Sequence, residues 1–396
     1  MDTARDPFTG LSVTPNPIRK LRLELLAHCS PKHITPIDLT QANPTGPTSA
    51  DYAKEMGLLV AAEGRGESPS NAYTDSRGYP TFLTALADLE AQVNGLNIPS
   101  SHILATPGAG EAVATALWGL KLVKEGGEVL ILAPFFPSYL EYVKAAGLTP
   151  KRIHFSSEGE QLTQLEDVLG DQTRAIILNS PNNPCGQMYS AQFLQNLGEM
   201  LNRKPHVLAI SDEPYRQLRL PDIPWVSVVK ELNYANTGVA YSFSKEGRLA
   251  GVRIGYLALH PDFPNGEQVR DALATSLVDR GIVQASTREQ MALSKCALPL
   301  GVDWSSTMQL IKSYANQLQG LGYEIIQPQG GLCLCVKSPD GDGTKLFKNL
   351  FDQGVGSVPG VSFGILAYVR LALCGEDAKS IDETIARFGK VKELMG

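Results

Sequence analysis

The first residue able to do covalent chemistry is an amine at the end of an apolar, strand-like run, set in a Ser/Gly-rich turn. It is Lys245, in Tyr-Ser-Phe-Ser-Lys-Glu-Gly-Arg-Leu-Ala-Gly-Val-Arg-Ile-Gly-Tyr, residues 241–256. An isolated amine in such a place can form a Schiff base with an aldehyde. Eight residues on, in the next apolar run, stands Arg253, whose planar fork of donors matches phosphate oxygens. With the hydroxyl of Ser242 it would clamp a phosphate close to the amine. A Schiff-base lysine beside a phosphate clamp points to pyridoxal 5'-phosphate. Standing alone, Ser-x-Ser-Lys reads first as a surface lysine in a turn, with Arg253 in an ion pair. The rest of the chain reverses that order.

The elements that must position these groups alternate. Strand-like runs at 103–105, 129–132, 175–178, 207–210, 239–241 and 254–259 are interleaved with helical patterns such as 111–123 and 191–201. Runs apolar on both faces that alternate with helices predict an α/β fold with a mostly parallel sheet. Ligands of such sheets sit beyond the strand carboxyl ends, where Gly108, Phe136, Asn183 and Asp212 fall. After about residue 281 come helical stretches at 287–295 and 304–321, short strands at 332–336 and 368–373, and a last helix at 379–394. This predicts a large domain over 46–280 and a smaller α+β domain from 1–45 and 281–396. The N-terminal part contains an amphipathic helix at 18–29 and a short strand at 37–40. Residues 1–17, rich in Pro, Gly and Thr, are expected to be ordered only by contact with something else.

Two strand ends have chemistry of their own. Pro107-Gly108-Ala109-Gly110 leads into a helical pattern, and free amides at a helix start bind anions, so Ala109 and Gly110 join the phosphate set. The run lacks G-x-G-x-x-G, which argues against a dinucleotide. Asp212 ends His-Val-Leu-Ala-Ile-Ser-Asp. A carboxylate there either caps a helix or pairs with a pyridine nitrogen and keeps it protonated.

Taken together, the segments resemble the class I/II, fold-type I aminotransferases. The resemblance rests on the lysine window, Ala-Ile-Ser-Asp212-Glu-Pro-Tyr215, Ser-Pro-Asn-Asn183-Pro-Cys-Gly, Leu-Ala-Thr-Pro before Gly108, Ala-Pro-Phe-Phe136-Pro-Ser-Tyr, and Tyr-Val-Arg370-Leu-Ala-Leu. They occur in the family's order across residues 37–374. It implies pyridoxal 5'-phosphate on Lys245, with Asp212 at the ring nitrogen. Asn183 and Tyr215 would bond the phenolic oxygen, and Phe136 would stack on the ring while Phe135 enters the core. Arg370 would fork onto the substrate α-carboxylate. Asn183 and Ala42 would line the substrate pocket, Ala42 standing where the family usually has glycine. Tyr73 resembles the tyrosine that reaches the phosphate of a partner subunit, which implies a homodimer. The implied reaction moves an amino group between an L-amino acid and a 2-oxo acid. A lyase, cyclase or decarboxylase of the same fold stays open as the alternative. Dicarboxylate-specific members use a second arginine. Arg280 and Arg288 lie in roughly the right region, but neither aligns, and the stacking residue is Phe rather than Trp. The sequence thus points away from aspartate as preferred donor.

Composition narrows the partners. A 396-residue chain with 43% hydrophobic residues, 19% charged residues and a net charge of −6 has no basic block. Nucleic acid and anionic membranes are therefore poor partners, and a non-enzymatic binding module has little to support it. No apolar run approaches the length of a membrane helix. The N-terminus lacks the apolar core of a secretory signal. Six scattered cysteines without C-x-x-C suggest a reduced, cytoplasmic protein. The six histidines show no metal-ligand spacing. Gly360-Val-Ser-Phe-Gly364 fits the nucleophile elbow G-x-S-x-G, but no histidine follows His260, so Ser362 has no downstream partner for hydrolase chemistry.

Overall fold

The computed structural model describes residues 17–395; the Pro/Gly/Thr-rich stretch expected to need a contact for order lies almost wholly outside them. Seven strands make the central sheet. In spatial order they are Ile103–Thr106, Gly255–Leu259, Thr237–Ser242, Leu208–Asp212, Thr173–Asn179, Glu128–Leu132 and Thr149–Ile153. The last five run parallel. Only Gly255–Leu259 is antiparallel to both its neighbours. The sheet is thus parallel-rich, as the sequence predicts. Its inner strands are buried throughout, as in Thr173–Asn179 and Thr237–Ser242, because helices cover both faces. One cluster packs Ala112, Val113 and Leu117 of the helix Ala109–Val123 against Val129, Ile131 and Ile177. The opposite cluster sets Phe193, Leu194 and Leu197 against Leu130, Ile176 and Ala209.

The smaller unit is a four-stranded antiparallel sheet in the order Val358–Pro359, Tyr368–Ala372, Cys333–Lys337, Ile325–Ile326. Helices Ser305–Gly320 and Ile381–Met395 bury Met308, Ile311, Tyr314, Phe388 and Val391 against Leu334, Val336 and Leu371. The N-terminal segment joins it: Ile37–Asp38 pairs in parallel with Val355–Gly356, and Leu39 enters the same core. Helix Thr287–Leu293 instead packs with the large sheet, through Met291, Ala292 and Leu293. All six cysteines are buried and free. No helix among the described residues is long and apolar enough to cross a membrane.

Candidate active site

Sheet register brings the site together. Ser242 is paired with Gly255, and Gly255 with Thr106, so the loop after Thr106 lies beside the end of the lysine strand. Asp212 pairs with Ala240 on one side and Asn179 on the other. The approach is close enough to require glycine: a Cβ on Gly255 would lie 2.9 Å from the Gly108 Cα, and Gly108 itself has φ +92°. Helix Ala109–Val123 starts there with no side-chain cap, leaving its first amides to an incoming anion. All these strand ends open onto one cleft of about 830 Å³, lined by Ala42, Ala109, Gly110, Phe136, Asn183, Asp212, Tyr215, Ser242, Lys245, Arg253 and Arg370. Of the expected site residues only Tyr73 is missing; it is 85% exposed and stands apart from the cleft of its own chain.

Lys245 follows its strand in a one-turn helix, Phe243–Glu246, whose first turn Ser242 caps by accepting the Ser244 N–H. The turn expected from Ser and Gly is therefore helical. Lys245 Nζ donates to the Ala42 carbonyl at 2.6 Å. Burial lowers its pKa, and the charges of Arg370 and Arg253 push the same way, opposed by Cys374 and Cys333. A larger share of neutral amine results.

Asp212 is buried. Its Oδ2 accepts from the Tyr139 hydroxyl, while Oδ1 has no hydrogen-bond partner. Burial lifts its pKa to about 7, against the lowering effect of the Tyr139 hydrogen bond. The next segment of chain, Pro214–Tyr215, is no helix start, so the capping alternative falls away. Asn183 also has a buried, unpartnered Oδ1, and its own N–H donates to Asn179 Oδ1 at 2.7 Å. Arg370 is 2% exposed, gives one donor to the Thr40 carbonyl and leaves Nε unpartnered. No carboxylate pairs with it among the described residues. Buried polar groups without partners are rare in folded chains, and a buried charge without a counter-ion costs more still. Three of them around one lysine mark a place for a ligand with its own acceptors, donors and negative charge.

Arg253 departs from expectation in its setting. It lies before the strand Gly255–Leu259 rather than within it, in the left-handed region at φ +62°. That turn lays its guanidinium over Gly108, where a Cβ would meet Nη2 at 2.9 Å. The guanidinium bonds only carbonyls, Pro107 at 3.0 Å and Ala250 at 3.1 Å, so its charge stays available. Phe136 meets Tyr139 edge-on at 5.6 Å, while Phe135 is buried in the core, the division of labour expected for neighbours on an extended segment.

Sequence reasoning missed Tyr139, Tyr142, Asn179, Ser244, Gln41, Asn43, Arg22 and Leu23, which also line the cleft. Ser244 was findable, since it sits in the same Ser-x-Ser-Lys run and its hydroxyl lies 2.7 Å from that of Ser242. Arg280 and Arg288 do not reach the cleft of their own chain. Arg280 pairs with Glu111 at 2.7 Å, and Arg288 pairs with Glu63 at 2.7 Å.

Comparison with known proteins agrees with this geometry. The model of the family "Aminotransferase class I and II" matches residues 34–388. An aspartate aminotransferase of Geobacillus stearothermophilus is 33% identical over 371 residues, covering 88% of this chain and 90% of that protein. Another from Thermotoga maritima is 28% identical over 369 residues, 91% of each chain. A crystal structure of an amino transferase from Eubacterium rectale superposes with a TM-score of 0.88 at 25% identity, covering 100% of this chain and 99% of that one. The orphaned buried atoms, the bare helix start and the close glycine approach all suit pyridoxal 5'-phosphate. The chain therefore belongs to the class I and II aminotransferases, enzymes of fold type I that transfer amino groups with pyridoxal 5'-phosphate.

Proposed function

We propose that this cleft moves an amino group between an L-amino acid and a 2-oxo acid, with Lys245 first tethering the cofactor and then moving the proton at the substrate Cα. When bound, pyridoxal 5'-phosphate supplies an aldehyde that condenses with amines and a ring that accepts electron density. Lys245, its pKa lowered by burial, is both nucleophile and base. Asp212, with Tyr139 fixing one oxygen and Oδ1 free, would pair with the ring nitrogen and keep a proton there. Tyr215 and Asn183 would bond the phenolic oxygen. The amides of Ala109 and Gly110, with Ser242 and Arg253, would hold the phosphate, and Phe136 would cover one face of the ring. Arg370 takes the α-carboxylate beside Ala42. A second copy of the chain supplies Tyr73 to the phosphate, making the working unit a homodimer in the cytoplasm. Residues 46–280, with helix Thr287–Leu293 packed on their sheet, form the cofactor-binding domain, and 1–45 with the rest of 281–396 the smaller one.

The observation that supports this most is the unpartnered Asp212 Oδ1 in the cleft that also holds Lys245. The purified protein is expected to be yellow, with a band that borohydride fixes to Lys245. Adding an amino acid should bleach that band to a stable pyridoxamine form, and a 2-oxo acid should restore it. Release of ammonia or of a cyclised product instead would move the assignment to the lyase class.

A further inference from the structure

The cleft has one cation more than these duties use. Among the described residues its lining holds Arg22, Lys245, Arg253 and Arg370 against a single carboxylate, Asp212. In the proposed reaction Lys245 would take the aldehyde, Arg253 the phosphate and Arg370 the α-carboxylate. Arg22 is left over. It projects from helix Pro17–Cys29 beside Leu23, with a side chain that is 57% exposed and whose Nε lies 3.5 Å from Asp38 Oδ2.

A short run of contacts fixes where Arg22 stands. Asp38 Oδ1 accepts the Thr40 N–H at 3.0 Å and the Thr40 hydroxyl at 2.6 Å. The Thr40 carbonyl in turn accepts from Arg370. Residues 38–40 therefore tie two guanidinium groups to one wall of the cleft. Arg253 belongs to another wall, bonded to the Pro107 and Ala250 carbonyls. Two forks of donors on the substrate side fit a substrate with two carboxylates. Leu23, 69% exposed beside Arg22, offers an apolar neighbour to the methylene groups between them.

We propose that Arg22 binds the distal carboxylate of a dicarboxylic amino acid or 2-oxo acid and is the residue that sets this specificity. The assignment rests on amino-group transfer and on Arg370 as the α-carboxylate site. It reverses the expectation from sequence, which sought the second arginine near 280–288 and found none. The cation comes instead from the N-terminal helix.

Two measurements on the holoenzyme test it. In the first, calorimetry compares the inert ligands succinate and butyrate, which differ by one carboxylate. Wild type should prefer succinate, and Arg22→Gln should cut that preference by about ten- to a hundredfold, the usual effect of losing a charge-assisted contact. Arg22→Lys should recover part of it by restoring the charge. In the second, the ratio of kcat/KM for glutamate to that for alanine should fall by a similar factor in Arg22→Gln. No preference for succinate in wild type, or the same preference in Arg22→Gln, overturns the proposal. If alanine and glutamate are transaminated equally well, this inference fails while amino-group transfer stands. If no donor is transaminated yet the succinate preference depends on Arg22, the transfer reading fails and the carboxylate site stands.

Discussion

Asp212 and Glu213 are adjacent carboxylates, both buried and both lifted by burial to about 7, yet the protein treats them in opposite ways. Glu213 belongs to a closed cluster. It accepts from Ser211 at 2.7 Å and from Arg216 at 3.2 Å. Arg216 also reaches Glu90 at 2.7 Å and Tyr256 at 2.8 Å, and lies 4.0 Å over the Tyr241 ring. Of that cluster only Arg216 Nε lacks a partner. Asp212 has one partner, Tyr139, and a bare oxygen; Asn183 and Arg370 around it are also incomplete. In one cluster the fold supplies partners to every carboxylate and leaves a single guanidinium N–H over. The other awaits a ligand, and its desolvation penalty is offset only when one binds. Equal burial and equal pKa therefore say little about role; what separates Asp212 from Glu213 is its free carboxylate oxygen facing the cleft.

That contrast makes separable predictions. Groups of the open cluster should matter for turnover more than for folding, and those of the closed one the reverse. Lys245→Ala should show the largest effect, a loss of turnover by more than about a thousandfold with some cofactor retained through the phosphate contacts. Single-turnover assays with near-native rates would remove Lys245 from the chemistry. Asp212→Asn comes next. It keeps the shape and the Tyr139 contact but no longer holds the ring nitrogen protonated, and losing about 4 kcal/mol of carbanion stabilisation means roughly a thousandfold.

Asp212 also predicts a pH signature in the cofactor-free chain. With the native carboxyl raised from 3.8 to about 7, the folded chain keeps a proton between those values that the unfolded chain has released. Stability therefore falls as pH rises through that window, by at most about 4 kcal/mol. Asp212→Asn does not titrate, so its melting temperature relative to wild type should climb from pH 5 to pH 8. A flat difference would mean that Asp212 already has a partner. Arg216→Met tests the closed cluster: leaving Glu90 and Glu213 buried without their cation should cost about 3–5 kcal/mol in urea unfolding, while turnover per folded molecule changes little. A variant that melts like wild type but turns over slowly would erase the distinction.

Much of the open cluster was legible because each member ends a strand in a short segment with its own pattern: Lys245 and Ser242 in Ser-x-Ser-Lys, Asp212 after five apolar or small residues, Ala109 and Gly110 at a glycine-marked helix start. The closed cluster was not, since Glu90, Glu213 and Arg216 look like ordinary surface charges until the fold buries them. Tyr139 lay inside a recognised motif, yet only the first turn of helix Ser138–Ala145, folding back toward Asp212, gives it a role. Arg22 was hidden for another reason: an amphipathic helix shows which face is apolar, not which polar residue overlooks a cleft built by residues far along the chain. The strand Thr149–Ile153 was missed because it is a sheet edge with Pro150, Lys151 and Arg152 in it, a composition edges tolerate and inner strands do not.

The smallest expected effect belongs to Arg253, the most exposed member of the open cluster. Its guanidinium bonds two backbone carbonyls and no carboxylate among the described residues. Arg253→Ala removes a charge-assisted contact to the phosphate, typically worth about 1.5 to 3 kcal/mol, so cofactor affinity should drop roughly tenfold or more. At saturating cofactor, kcat should change far less, because Arg253 makes no hydrogen bond to Lys245 or Asp212 and its charge is among the smaller influences on the Lys245 amine. Arg253→Lys separates charge from geometry: it keeps the cation but not the fork, and should recover only part of the affinity. Gly108→Ala gives an independent check on the same spot, since a methyl there meets Nη2 at 2.9 Å and φ is +92°; it should displace the guanidinium and weaken cofactor binding without touching its charge. Equilibrium dialysis of the three variants against pyridoxal 5'-phosphate reads the affinities, and turnover at saturating cofactor reads kcat. Unchanged affinity in Arg253→Ala would make those two carbonyl bonds the residue's whole purpose, and would move Arg253 from the open cluster to the closed one.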